Sequence, residues 1–266
     1  MFSKFPRRSL LVALASLSFA GVASTASATH SWNGYHWART ANPFTIKLGN
    51  NVSGAAWTSA LNAASSEWSS SDVLNTNVVA GQANPRNCRA TAGRVEVCDA
   101  TYGNNGWLGL ASISITNGTH ITRGTVKLND TYFNTATYNT SAWRALVTCQ
   151  EIGHTFGLDH QDTNFNNANL GTCMDYTNDP STNRHPNAHD YEELDIIIYA
   201  HLDSTTTISQ GAGSSFAVDI DHNDRRTWGQ LVKQAGRTAI YELDLGGGSK
   251  TVTFVIWALE AGGKPQ

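Results

Sequence analysis

Residues 148–160 read TCQEIGHTFGLDH, and the spacing inside this stretch sets what the rest of the chain has to build. Gln150 and His154 are four positions apart, so on an α-helix their side chains leave one face a single turn from each other. Glu151 stands one step round, near enough to act on a water held by that pair without joining it. Gly157 can take the positive φ that ends a helix, after which the chain doubles back to deliver His160. Trp143, Leu146, Val147 and His154 recur at helical spacing, which predicts a helix from Ser141 to about Gly157. The result is what a catalytic metal needs: three protein ligands, an open position for water, and a carboxylate to accept a proton.

Upstream, FTIKLG alternates Phe44, Ile46 and Leu48 with polar residues and reads as a half-buried strand. Ser53 is placed to cap a helix carrying Trp57, Leu61, Ala64 and Trp68 on one stripe. Val78-Val79 and Arg94–Cys98 read as strands, as do the segment with Ala111, Ile113 and Ile115 and the following GTVKLND. Downstream, a late helix is expected from about Asp190, with Asp190 as cap, Glu193 reaching back, and Tyr191, Leu194, Ile198 and Leu202 buried. Residues 204–215, STTTISQGAGSS, are a linker by composition, and TAIYELDL and KTVTFVIWA flank Gly246–Gly248 as a β-hairpin. Strands and one helix, a motif helix, an irregular stretch, a last helix and a small β appendage make an α+β domain.

The N-terminus addresses the compartment. Lys4, Arg7 and Arg8 precede an apolar run from Leu10 to Ala20, and Ala26-Ser27-Ala28 is a small-residue cleavage site, so residues 1–28 read as a signal peptide and Thr29 as the mature start. The run is too short to span a bilayer, which points to a secreted protein rather than a membrane-anchored one. With a net charge of −3 and no basic cluster after the signal, neither nucleic acid nor an anionic membrane is the expected partner. The four cysteines, Cys88, Cys98, Cys149 and Cys173, are an even number in an exported chain and predict two disulfides. Cys88–Cys98 closes a short loop; no CxxC spacing supports a zinc cluster.

Glu151, His154, Gly157 and His160, followed by GTCMDY with Met174, resemble the HExxHxxGxxH motif and Met-turn of the metzincin zinc endopeptidases, near the matrixin-like secreted bacterial type. The likeness spans roughly residues 40–203, with its specific part at 149–176. It implies a metzincin-like catalytic domain over residues 29–203: a twisted, mostly parallel sheet with an antiparallel edge strand, the active-site helix, the Met-turn and a C-terminal helix, with residues 204–266 outside it. It implies one catalytic Zn2+ on His154, His160 and the residue at 150, Glu151 as general base, Met174 beneath the metal, and Tyr176 stabilising the oxyanion. GWLGLASIS would be the edge strand that pairs with an extended peptide or protein substrate, the protein acting as a monomer. A Cys149–Cys173 bridge would tie the motif helix to the Met-turn.

At 150 the motif asks for His and this chain has Gln. An amide oxygen is a poorer zinc ligand than imidazole, so metal affinity falls. Three readings follow: Gln150 still coordinates zinc or a harder divalent ion; another side chain, such as Asp162 or His120, or a water takes its place; or the metal is lost and the fold survives as a catalytically inactive binding protein.

Other features are read plainly. His185 and His189 serve loop and cap hydrogen bonds. DIDHND, at residues 219–224, has Asp224 where a calcium loop needs Gly and Gln230 where it needs Glu, so it is a turn. The NxS/T triplets at Asn51, Asn117, Asn129 and Asn139 are chance products of an Asn- and Thr-rich chain. Residues 29–43 hold no Cys, Asp or Glu, so neither a cysteine nor an aspartate latency switch is expected there. Trp228 and Trp257 are expected to pack inward.

Overall fold

The structure is a computed structural model that describes residues 29–204 and 220–259, together with Met1 and Val218. The expected signal peptide, apart from Met1, and nearly all of the expected linker lie outside the described residues. The strands are β1 (His36–Trp37), β2 (Phe44–Asn51), β3 (Leu74–Ala80), β4 (Arg94–Ala100), β5 (Trp107–Thr116), β6 (His120–Asn129), β7 (Gln230–Ala235), β8 (Thr238–Gly246) and β9 (Ser249–Trp257). The helices are α1 (Gly54–Trp68), a short α2 (Asp130–Phe133), α3 (Ser141–His154) and α4 (Ala188–Glu192), which runs on as a π-helical turn, Glu193–Ile198.

These strands form one mixed sheet in the order β3-β2-β4-β6-β5-β9-β8-β7, with β1 also on β6. It is parallel from β3 to β6 and antiparallel from β6 to β7. Parallel neighbours need a crossover, and α1 supplies it between β2 and β3. Trp57, Leu61, Ala64 and Trp68 are buried as the spacing predicts, and the Trp68 indole donates to Cys149 O at 3.1 Å, fastening α1 to α3. β3 and β7, the two outer strands, keep mostly exposed or half-buried residues, as unpaired edges should.

Several local expectations need correction. Ser53 makes no side-chain cap for α1; its hydroxyl donates to Asp99 Oδ2 at 2.7 Å. The late helix is capped by Asn187, three residues earlier than expected, and Asp190 closes the capping box from inside the first turn. Leu202 lies exposed, because the π-helical turn ends at Ile198 before reaching it. β7 had no clear alternation in the sequence.

The largest correction concerns β5. It runs antiparallel to β6 as expected, but it is no edge: β9 pairs with it from Trp107 to Ile115. β9 is buried almost throughout, and Ile240, Val252, Phe254 and Ile256 of the hairpin enter the main core. At about 1.5–3 kcal/mol for each large apolar side chain fully buried, this holds β9 far more firmly than a surface contact would. Trp107, Trp228, Tyr241 and Trp257 build a smaller core on the other face, and the rings of Trp228 and Trp257 stack 6.1 Å apart, so both tryptophans pack inward. Cys88–Cys98 and Cys149–Cys173 are both disulfide-bonded, with Cα separations of 6.0 and 5.9 Å.

Candidate metal centre

α3 is capped by Thr140, whose hydroxyl accepts from Trp143 N–H at 3.2 Å, and ends at His154, three residues short of Gly157, where the chain reverses through a φ of 98°. The connection after Gly157 is held from one side by the N-terminal segment, through Trp32 N–H to Gly157 O at 2.9 Å and Asp159 N–H to His30 O at 2.6 Å. From the other side Gln161 N–H donates to Met174 O at 2.7 Å. His160 is thereby returned to α3, and its Nε2 lies 3.2 Å from Nε2 of His154.

The far side of each ring shows what those two nitrogens can do. His154 Nδ1 is 2.8 Å from Leu158 O, and His160 Nδ1 is 3.3 Å from Asp159 Oδ1. Both acceptors call for an N–H on Nδ1, so in neutral rings both Nε2 atoms present lone pairs to each other. Burial lowers the pKa of His154 well below its ordinary value, helped by His160, and lowers that of His160 against the pull of Asp159. A proton is therefore a poor bridge between the rings. Two nitrogens bound to one tetrahedral zinc at about 2.0–2.1 Å stand roughly 3.3 Å apart, which the observed separation matches.

Among the described residues, the buried atoms without a hydrogen-bond partner include two from α3, Gln150 Oε1 and Glu151 Oε2. Gln150 Nε2 donates to Cys173 O at 2.8 Å, which fixes the amide and turns its oxygen away from that carbonyl. Glu151 lies under β5, where a methyl on Gly109 would come within 3.2 Å of its Oε1. Burial raises the Glu151 carboxyl well above the usual range. Asp159 goes the other way: burial opposes its charge, but the His160 contact and the Lys233 ammonium prevail and hold it below the carboxylate range. The two facing lone pairs fit a divalent cation of zinc type, and Gln150 Oε1 and Glu151 Oε2 are unpartnered oxygens on the same helix as His154.

Met174 is fully buried below α3, and a methyl on Gly153 would stand 2.7 Å from its Sδ. Tyr176 lies against His160, ring centroids 4.1 Å apart, and its buried hydroxyl pairs with Thr238 of β8. The two substitutes weighed for position 150 turn elsewhere. Asp162 is engaged by Asn164 and Asn167, and His120 Nε2 lies 3.2 Å from Asp203 Oδ1. His185 bonds Glu67 at 2.6 Å, whereas His189 stacks on His30 at 4.8 Å.

Sequence spacing does not disclose the cover over this centre. Phe254 of β9 stacks on the His154 ring, centroids 4.3 Å apart and planes 5° apart. Nor does it disclose Asp190, which reads as a cap and is a fully buried hub for His30, Thr172 and Gln161. Only the Asn187-x-x-Asp190 spacing signals the capping box. A polar cavity lined by Arg86, Ser112, Lys127 and His222 lies elsewhere and includes none of the centre's residues. The chain matches no protein-family model and no curated protein sequence.

Proposed function

We propose that the protein is a secreted zinc-dependent endopeptidase of metzincin type, held closed by its own C-terminal hairpin. The observation that carries the reading is the pair of facing Nε2 atoms on His154 and His160, 3.2 Å apart, each ring fixed through Nδ1 to an acceptor. His154 and His160 would hold the ion through Nε2, and Gln150 through Oε1. When bound, the ion supplies Lewis acidity, polarising a peptide carbonyl and lowering the pKa of water. The charge of a bound ion would favour the ionised form of Glu151 against its burial, and the carboxylate would take the proton of the attacking water and return it to the leaving amine. The Tyr176 hydroxyl would donate to the developing oxyanion once it leaves Thr238. Leu158 O and Asp159 keep both imidazoles in the ligating tautomer.

β9 lies antiparallel on β5, in the lane where an extended substrate would add as a strand. Phe254 enters the centre from that lane, and Thr238 engages Tyr176. A peptide pairing with β5 would have to replace β9, and the Phe254 ring over His154 is the part of that closure a side-chain change can lift; latency would lie here rather than in residues 29–43. The same closure supports a second reading, a metzincin-fold binding protein that has lost its ion.

Zinc uptake separates the two. Equilibrium dialysis should show one zinc equivalent that the wild type binds and His154→Ala lacks. Gln150→His should tighten binding, and Gln150→Leu should weaken it by at least the roughly 10–100-fold that loss of an outer-shell partner costs. Uptake indifferent to His154 and to residue 150 would leave the binding protein as the reading to follow.

A further inference from the structure

We propose that a second divalent transition-metal cation, of zinc type, is held by His36, His201 and Asp203, with His120 as the flanking imidazole. Topology assembles the cluster. β1 lies parallel on β6 in a register that sets His36 beside His120. The chain leaving the last helix returns along the N-terminal segment, with Asp203 N–H donating to Arg39 O at 2.8 Å and Arg39 N–H to Asp203 Oδ2 at 3.1 Å. Three imidazoles consequently converge on one atom: Nε2 of His36, His120 and His201 lie 3.5, 3.2 and 3.7 Å from Asp203 Oδ1. The ligating atoms of His36, His201 and Asp203 all fall within 4.8 Å of one another.

Imidazole nitrogens around one carboxylate are a donor set for zinc and its neighbours in the first transition row. His36 Nδ1 is 2.7 Å from Gly34 O, an acceptor, so in the neutral ring Nδ1 carries the hydrogen and the Nε2 lone pair faces the carboxylate. A lone pair and a carboxylate oxygen repel, and a cation between them satisfies both. The second oxygen of Asp203 is occupied by the Arg39 guanidinium, Nη1 at 3.2 Å, and by the Arg39 N–H, an outer shell that orients Oδ1 inward. A purely structural cluster would explain His120, which can donate to Oδ1. It leaves a neutral His36 with no hydrogen for that oxygen, and it holds His201, 59% exposed, by nothing more than an edge-on contact with the His36 ring, centroids 4.8 Å apart.

Such an ion would clip β1 and the start of β6 to the chain that follows the last helix, closing a long loop and stabilising the fold by binding the native state alone. The inference does not depend on the His154 and His160 centre. The test is zinc stoichiometry by equilibrium dialysis, read with thermal unfolding, on the purified protein. His154→Ala/His160→Ala should retain one zinc equivalent, and zinc at a hundredfold its Kd should raise its Tm by roughly 5–10 °C. Adding His201→Ala should abolish both effects while leaving Tm in chelator unchanged, since that ring is largely exposed. If the double variant does not fold, His201→Ala alone should lower wild-type stoichiometry by one equivalent, and Asp203→Asn should do the same. Stoichiometry and Tm shift untouched by His201→Ala would overturn the site.

Discussion

Gly157 shows how one residue places the centre. Its φ of 98° suits glycine alone, and a methyl there would stand 1.9 Å from Tyr35 O. Gly157→Ala should cost at least about 2 kcal/mol from the backbone and the clash together, read by denaturant unfolding; an unchanged midpoint would refute the role. Asp130 gives a pH signature. Burial, then its contact with Asp99, raises its carboxyl from 3.8 to about 6 against the Trp57 donor. The folded state thus binds this proton more tightly than the unfolded chain, so the contribution is complete below the unfolded pKa and fades as pH rises through about 6. Asp130→Asn keeps an acceptor for Trp57 and should flatten that decline between pH 4 and 6.5, measured as unfolding free energy against pH; a decline of the same depth in the variant would clear Asp130. At this scale much was legible: Gln150, Glu151 and His154 share a helix because their spacing says so, and His160 follows from the glycine. Ser53 was misjudged because Asp99, distant in sequence, competes for its hydroxyl.

Among elements, the hairpin carries the main lesson. KTVTFVIWA reads as a strand from its β-branched and aromatic residues, and it is one. Its partner was not legible, because alternation identifies a buried face without saying which sheet edge it joins. β5 looked like a free edge for the same reason. Since Ile240, Val252, Phe254 and Ile256 belong to the main core, β8 and β9 should unfold with the rest. Calorimetry should show one cooperative transition whose van't Hoff and calorimetric enthalpies agree; an early, separate transition assigned to the hairpin by hydrogen exchange would contradict this. The late helix was legible in its stripe but not its start, because Asn187 caps from outside the apolar pattern.

For the molecule as a whole, two disulfides suit an oxidising compartment, and no helix among the described residues is long and apolar enough to cross a membrane. Cys149–Cys173 binds α3 to the turn that carries Met174, the pairing that the metzincin resemblance implied. The His36, His120, His201 and Asp203 cluster was invisible in the sequence, since its members come from three distant segments with no diagnostic interval. The central claim is zinc- and Glu151-dependent hydrolysis behind a hairpin that fills the substrate lane. Phe254→Val uncovers the His154 ring while β9 stays on β5, for less than the roughly 3–5 kcal/mol of a Phe→Ala truncation. The decisive measurement is cleavage of an unfolded protein by folded, zinc-supplied Phe254→Val protein beside Phe254→Val/Glu151→Gln. The account predicts cleavage by the first, faster than by wild type, and none by the second; no cleavage by either, or equal cleavage by both, would contradict it.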